Sequence, residues 1–140
     1  MLECLIIGDD IAVGTHPYRP ACTQYAKNGL NSKQFNQQFK NVDLTAGVVI
    51  ISLGSNDFKG IKTYDELFEM RQRVVAYRVY WVLPNGLSKV KGEEELIKIQ
   101  DQVIEVAHYY GDVVLPIRQA TPDYVHPTPS GYYDIVLRAL

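Results

Sequence analysis

Long hydrophobic runs, basic blocks and internal repeats are all missing from this 140-residue chain. No apolar stretch approaches the roughly eighteen residues a membrane-spanning helix needs, so no membrane partner is expected. The first residues contain Glu3 and break at Gly8 rather than forming a basic leader with an apolar core. The expectation is a soluble, cytoplasmic protein without an export signal, which would meet an extracellular target only on cell lysis. With 14 basic and 16 acidic residues there is no positive stripe to neutralise a run of phosphates, so nucleic acid is not an expected partner. Cysteine is scarce: Cys4 and Cys22 show no metal-ligand spacing. Packing beside apolar strands accounts for them as reduced, structural thiols, with a disulfide between neighbouring strands as the lesser alternative. No cofactor is expected.

What is present suffices for one compact domain over residues 1–140, since 46% of the chain is hydrophobic and a chain of this size buries roughly two-thirds of its unfolded surface. Short β-rich runs alternate with amphipathic stretches. Leu2–Ile7, Cys22–Ala26, Val48–Leu53, Arg78–Leu83 and Asp112–Leu115 read as strands, the third being β-branched and apolar on both faces and therefore central. Asn31 with Gln34 has the spacing of a capping box and opens a helix to about Lys40. Thr63 with Glu66 has the same spacing, followed by a stripe of Leu67, Met70, Val74 and Tyr77. Glu93, Glu94 and Glu95 suit the positive start of a helix burying Leu96, Ile99, Val103 and Val106, after a solvated loop from Lys89. Thr128 and Pro129 start a last helix with Ile135, Val136 and Leu140 inward. Helices between strands, without two-residue hairpin turns, predict an α/β doubly wound parallel sheet of five strands in the order 2-1-3-4-5, with helices on both faces.

In such a sheet ligands bind outside the carboxyl ends of the strands. Asp9 and Asp10 follow the first strand, Gly29 the second, Asn56 and Asp57 the third, and Asp123 and His126 the fifth. Four segments converging on one rim outweigh any single motif. Asp9 reads as structural, its carboxylate accepting backbone N–H bonds in the turn. His126 has the strongest functional case, with Asp123 three residues before it. His108 suits a helix C-terminus, and His16 lies in a loop with surface placement favoured. Tyr80, Trp81 and the tyrosines at 77, 109, 110, 132 and 133 follow packing spacings; Tyr124, inside the site block, is a candidate substrate contact.

The blocks Gly8-Asp9-Asp10-Ile11, the isolated Gly29, Gly54-Ser55-Asn56-Asp57 and Asp123-Tyr124-Val125-His126-Pro127 together resemble the SGNH or GDSL hydrolases, a family of esterases, lipases, thioesterases and carbohydrate O-deacetylases. The chain is similar to compact forms of that family found in bacteria and their phages. The resemblance implies that position 10 is the nucleophile seat, His126 the general base and Asp123 the group orienting the imidazole. It further implies an oxyanion hole made of the backbone N–H groups of Asp10 and Gly29 and the side-chain amide of Asn56. The substrate would be a small-molecule or carbohydrate ester.

Where the family has serine, this chain has Asp10. A hydroxyl attacking an ester gives another ester; a carboxylate would give a mixed anhydride, strongly uphill. An imidazole between two carboxylates is also expected to hold its proton. An oxygen of Asp10 is further expected to fold onto the oxyanion donors like bound product. The expectation is thus an ester hydrolase whose Asp10 form is inactive or strongly impaired, with a non-catalytic binder as the alternative. A phosphate-receiver domain shares the strand order and would use Asp9, Asp10 and Asp57, but it places Lys-Pro after the fifth strand where this chain has Leu115-Pro116. A metal hydrolase built on Asp9, Asp10, Asp57 and His126 ranks below the binder.

Overall fold

The computed structural model describes residues 1–86 and 92–139. Among these residues six parallel strands and five α-helices follow in the order β1 (Leu2–Gly8), α1 (Asp10–Thr15), β2 (Thr23–Ala26), α2 (Ser32–Gln38), β3 (Leu44–Ser52), α3 (Thr63–Gln72), β4 (Val74–Val75), β5 (Arg78–Val82), α4 (Glu93–Tyr110), β6 (Val113–Leu115) and α5 (Pro129–Arg138). The sheet runs β2-β1-β3-β5-β6, with β4 beside the first residues of β3. The five principal strands follow the expected sequence of neighbours. The difference is the extra two-residue strand β4, which pairs Leu44 with Val74 and Thr45 with Val75.

The two-residue period of a strand explains the two layers. Leu5 and Ile7, Val49 and Ile51, and Val79 and Trp81 point to one face, where they meet Phe35 of α2, Leu67 and Met70 of α3, and Val103 and Val106 of α4. Cys4 and Ile6, Ile50, and Tyr80 and Val82 point to the other, against Ile11 and Ala12 of α1 and Ile135 of α5. β1, β3 and β5 are thus covered on both sides, as continuous apolar strands require.

Local signals set most helix starts. Asn31 and Gln34 exchange the reciprocal bonds of a capping box at 2.9 and 3.0 Å, and the Thr128 hydroxyl accepts the Gly131 N–H at 3.1 Å. All four residues of the expected α4 stripe are buried, and the helix stops at Gly111 in the left-handed conformation. The box expected at Thr63 does not form, because the Thr63 hydroxyl donates to Asp57 at 2.7 Å and Lys62 takes the cap position. Nor does that helix reach Tyr77. It ends at Gln72, where the Arg73 guanidinium leaves to donate to the Phe39 and Val42 carbonyls at 2.7 and 2.8 Å. Val74 keeps its core contact as a strand residue, whereas Tyr77 is 83% exposed. Tyr133 is likewise exposed, and Tyr109, though also exposed, packs its ring against Phe68 and Tyr110. Leu140 and the first part of the loop expected from Lys89 lie outside the described residues.

The cysteines correct the expectation of free thiols. Leu5 pairs with Thr23 in the β1–β2 register, which sets Cys4 directly across from Cys22, and the two are joined in a buried disulfide with Cα atoms 4.8 Å apart. The bond staples the edge strand β2, one of only four residues, to β1. Reduction, or Cys22→Ser, is expected to lower the unfolding free energy by about 3 kcal/mol for a closed loop of this size. Urea unfolding with and without reductant checks this, and an unchanged midpoint on complete reduction refutes it.

Candidate active site

The site begins where β1 stops. Gly8 has φ +132°, and a Cβ there would stand 1.8 Å from the Ser52 carbonyl oxygen, so only glycine lets β1 turn this close to the end of β3. The turn lets the Asp9 N–H reach the Ser52 carbonyl at 2.9 Å. Asp9 caps α1 as expected of a structural residue: its Oδ1 accepts the Ile11 N–H at 3.0 Å and the Ser52 hydroxyl at 2.8 Å. Its Oδ2 is buried with no hydrogen-bond partner among the described residues. Burial first, and the charge of Asp10 second, push the Asp9 carboxyl up to about 7.

Asp10, the next residue, meets the opposite environment. Its Oδ1 accepts the Asn56 side-chain amide at 2.9 Å, and its Oδ2 is hydrogen-bonded to Nε2 of His126. The other ring nitrogen of His126, Nδ1, lies 2.8 Å from Oδ2 of Asp123. Burial opposes charge on Asp10, but the bonds from Asn56, His126 and its own backbone N–H outweigh it and hold the carboxyl below its ordinary value. For His126, burial disfavours the proton, yet hydrogen bonds and attraction from Asp123 and Asp10 prevail and raise the pKa. The expected imidazole between two carboxylates is therefore formed, and it favours the imidazolium.

Asp123 is largely exposed, and hydrogen bonding governs its ionisation. The Thr121 hydroxyl donates at 2.6 Å and the backbone N–H groups of Val125 and His126 at 2.8 and 3.0 Å, all to Oδ1. Led by Thr121 and the two contacts from His126, these bonds put its pKa far below the usual carboxylate range. Wrapping two N–H groups round one oxygen bends the chain sharply, and Tyr124 pays with φ 60°, the only non-glycine residue at positive φ among those described. Its side chain is 67% exposed beside the site.

Asn56 is presented by the turn after β3, closed by the Asp57 N–H on the Gly54 carbonyl at 3.0 Å. The same amide also donates to the Leu30 carbonyl at 3.1 Å. This bond ties the loop after β2 to the site through Leu30, while Gly29 itself is exposed. Beneath them Asp57 is fully buried, accepting the Ser32 N–H at 2.8 Å, the Ser32 hydroxyl at 2.6 Å and the Thr63 hydroxyl at 2.7 Å. That engagement leaves no exposed oxygen for a phosphoryl group and removes the basis of the receiver reading. Of the suggested cluster of Asp9, Asp10, Asp57 and His126, only Asp10 and His126 bond each other, while Asp9 engages Ile11 and Ser52 and Asp57 engages Ser32 and Thr63. Among the described residues no group of three or more His, Cys, Asp or Glu side chains is placed to hold a metal ion.

Tyr132 packs against the core, as its spacing predicts, and its closeness to Gly14 of α1 is what sequence reasoning missed. It stacks on Tyr18 with ring centres 5.9 Å apart, and its hydroxyl end lies so close to α1 that a Cβ on Gly14 would meet it at 2.4 Å. Burial, then the charges of Asp10 and Asp9, push its pKa up to about 12, so it stays a neutral hydroxyl. The one available signal was Gly14 within a helix opposite a tyrosine on another. His16 is partly buried and bonds the Cys22 carbonyl at 2.8 Å; His108 is exposed in the last turn of α4.

Asp9 makes stability depend on pH. Unfolded, its carboxyl loses the proton near 3.8; folded, it keeps the proton to about 7, so the contribution falls as pH rises between these values and is flat above. Asp9→Asn retains an oxygen for Ile11 and Ser52 without the charge. The variant is expected to gain stability relative to wild type between about pH 5 and pH 8, by on the order of a few kcal/mol, read from urea midpoints. A difference independent of pH refutes the assignment.

No family model matches the sequence. No curated protein matches it either. Solved structures do. A member of the lipolytic protein G-D-S-L family from Veillonella parvula superposes with a TM-score of 0.73 at 16% identity, covering 100% of this chain and 98% of its own. The lipase/acylhydrolase from Enterococcus faecalis gives 0.73 at 14% identity, covering 97% and 94%. The C-terminal catalytic domain of peptidoglycan O-acetyltransferase A from Streptococcus pneumoniae, carrying a methylsulfonyl adduct, gives 0.66 at 18% identity, covering 99% and 92%. With the sheet order and nearly complete coverage on both sides, the chain has the fold of the SGNH/GDSL acylhydrolases.

Proposed function

We propose that the site is that of an acyl-ester hydrolase acting on a small-molecule or carbohydrate ester, held back by the carboxylate at position 10. The observation that carries this reading is the bridge made by Asp10, which joins His126 on one side and the Asn56 amide on the other. A hydroxyl at this position would stand beside its base and its oxyanion donor at once. In the roles so assigned, His126 receives the nucleophile's proton and Asp123 fixes the ring through Nδ1. The Asn56 amide, with the backbone N–H groups of Asp10 and Gly29, receives the developing oxyanion. One such donor is typically worth about 3 kcal/mol of transition-state stabilisation. Likeness to a domain named for peptidoglycan O-acetyl transfer favours an ester on a sugar.

Asp10 blocks each of these roles. Its negative charge helps keep the proton on His126, so the base is spent, and its Oδ1 occupies the amide that an oxyanion would need. Attack on an acyl group through the carboxylate leads uphill to an anhydride. Water attack in an otherwise preorganised site remains, at the level left when a triad member is lost. The same occupied donors favour, as a second reading, a cleft that binds its ester without turning it over. The Cys4–Cys22 bond supports a working place in oxidising surroundings, where such bonds persist.

Asp10→Ser decides between the two readings. Hydrolysis of p-nitrophenyl acetate is expected to rise by about 10³-fold or more over the Asp10 form, whereas a folded but inactive variant selects the binder. The same substitution removes one of the two carboxylates facing His126. Its imidazole is therefore expected to titrate at lower pH in the Ser variant, as read by NMR of the ring protons; an unchanged midpoint contradicts the bridge.

A further inference from the structure

Asp10 is a poor nucleophile toward an acyl group for a reason that does not extend to saturated carbon. Attack on a carbonyl makes a mixed anhydride, but displacement at an alkyl carbon makes an ordinary carboxylic ester, and carboxylates are competent covalent nucleophiles when the intermediate is of moderate energy. An ester on residue 10 is also the species that the surrounding groups are arranged to cleave. The Asn56 amide lies 2.9 Å from Oδ1, His126 is bonded at Oδ2, and Asp123 stands 2.8 Å behind the ring. We propose that Asp10 is a nucleophile toward saturated carbon, that its substrates are small alkyl compounds with a displaceable group, an epoxide or an alkyl halide, and that the product is the diol from the first and the alcohol from the second.

The steps balance with water as the only co-reactant. An oxygen of Asp10 forms a bond to the alkyl carbon while the carbon–halogen or carbon–oxygen bond breaks. Its electron pair leaves as halide, or as an alkoxide that takes a proton from solvent. Residue 10 is now a neutral ester, so His126 faces one carboxylate instead of two. It releases its proton to solvent and becomes the base that the resting state lacks. It then takes a proton from a water molecule whose oxygen attacks Cγ of Asp10, and the Asn56 amide holds the resulting oxyanion. Collapse breaks the bond between Cγ and the alkyl oxygen, the departing alkoxide takes the proton from His126, and the regenerated acid returns its own proton to the imidazole. One oxygen of Asp10 now comes from water.

Three features of the resting site fit this cycle. Asp10 is held ionised by Asn56, His126 and its own N–H, so a nucleophile is present at neutral pH. Its side chain retains 19% of its accessible surface, so residue 10 is open to solvent at the rim rather than sealed in the core. The neighbouring Asp9, by contrast, is fully buried and offers no competing nucleophile. The scheme rests on the same roles for His126 and Asn56 as the hydrolase reading, but it gives the carboxylate work instead of treating it only as an obstacle.

The test is mass spectrometry of the peptide containing Asp10. Wild-type protein is incubated with epoxybutane, and separately with bromobutane, in water labelled with heavy oxygen. The expected result is heavy oxygen in Asp10 with at least one of the two, and which one labels it identifies the leaving group. His126→Gln is expected to trap the alkyl ester on Asp10, because displacement survives and hydrolysis does not. The proposal is overturned if residue 10 carries no more label or adduct than an exposed carboxylate such as Glu94 in both proteins. Asp10→Ser acting on p-nitrophenyl acetate reads the hydrolase assignment separately: an active Ser variant with an unlabelled wild type condemns the alkyl chemistry alone, and a labelled wild type supports it whatever the Ser variant does.

Discussion

One carboxylate holds three loops of this protein together. The sheet brings the ends of β1 and β3 within hydrogen-bond distance, but the Asp123–His126 block comes from the far edge of the fold and is linked to the centre of the rim through Asp10. Asp10 in turn reaches Asn56, and Asn56 reaches the Leu30 carbonyl, so one connected set of polar bonds spans the segments after β1, β2, β3 and β6. Its centre is electrostatic: an imidazole between two acids and an acid between an imidazole and an amide are each stabilised in the charged form. The arrangement rigidifies the site and, by the same bonds, takes up its donors.

Beneath that set lies a second, buried one. Asp57 joins the start of α2 to the start of α3 through Ser32 and Thr63, and the Ser52 hydroxyl and carbonyl anchor Asp9. These buried acceptors fix where the loops leave the sheet, so that Asn56 and Asp10 arrive at bonding distance without side-chain search. Within this set every carboxylate oxygen but one has a donor, as burial demands. The exception is Oδ2 of Asp9, and there the cost falls on the pKa of the group instead.

The parts of the fold that follow from local period and capping were legible in the sequence. Apolar alternation in β1 and β3, the Asn31–Gln34 box, the Thr128 cap and the α4 stripe all depend on neighbours within a few residues. So did the rim, because parallel strands carry their following loops to one edge. The misreadings share a different cause: they depend on register or on a distant partner. Cys4 and Cys22 face each other only once β1 and β2 have paired, and Thr63 forgoes its cap because Asp57, six residues earlier, is folded beneath it. The end of α3 is set by carbonyls of Phe39 and Val42 that Arg73 reaches across the fold. The closeness of the Tyr132 ring to Gly14 likewise exists only after α5 has docked on α1.

Asp9 and Asp10 show how little residue type alone determines chemistry. They are adjacent in sequence, share the ordinary aspartate value of 3.8, and are driven apart because one turns inward at the cap and the other outward at the first position of α1. Inside, a hydroxyl and an N–H do not replace water for a full negative charge, so the proton stays to about 7. At the rim an amide, an imidazolium and a backbone N–H do replace it, and the charge is kept. The neutral partner makes the charged one less costly, since two ionised carboxylates side by side would repel. The charge kept on Asp10 in turn raises the cost of ionising Asp9, so the adjacent pair settles as one charged and one protonated carboxyl.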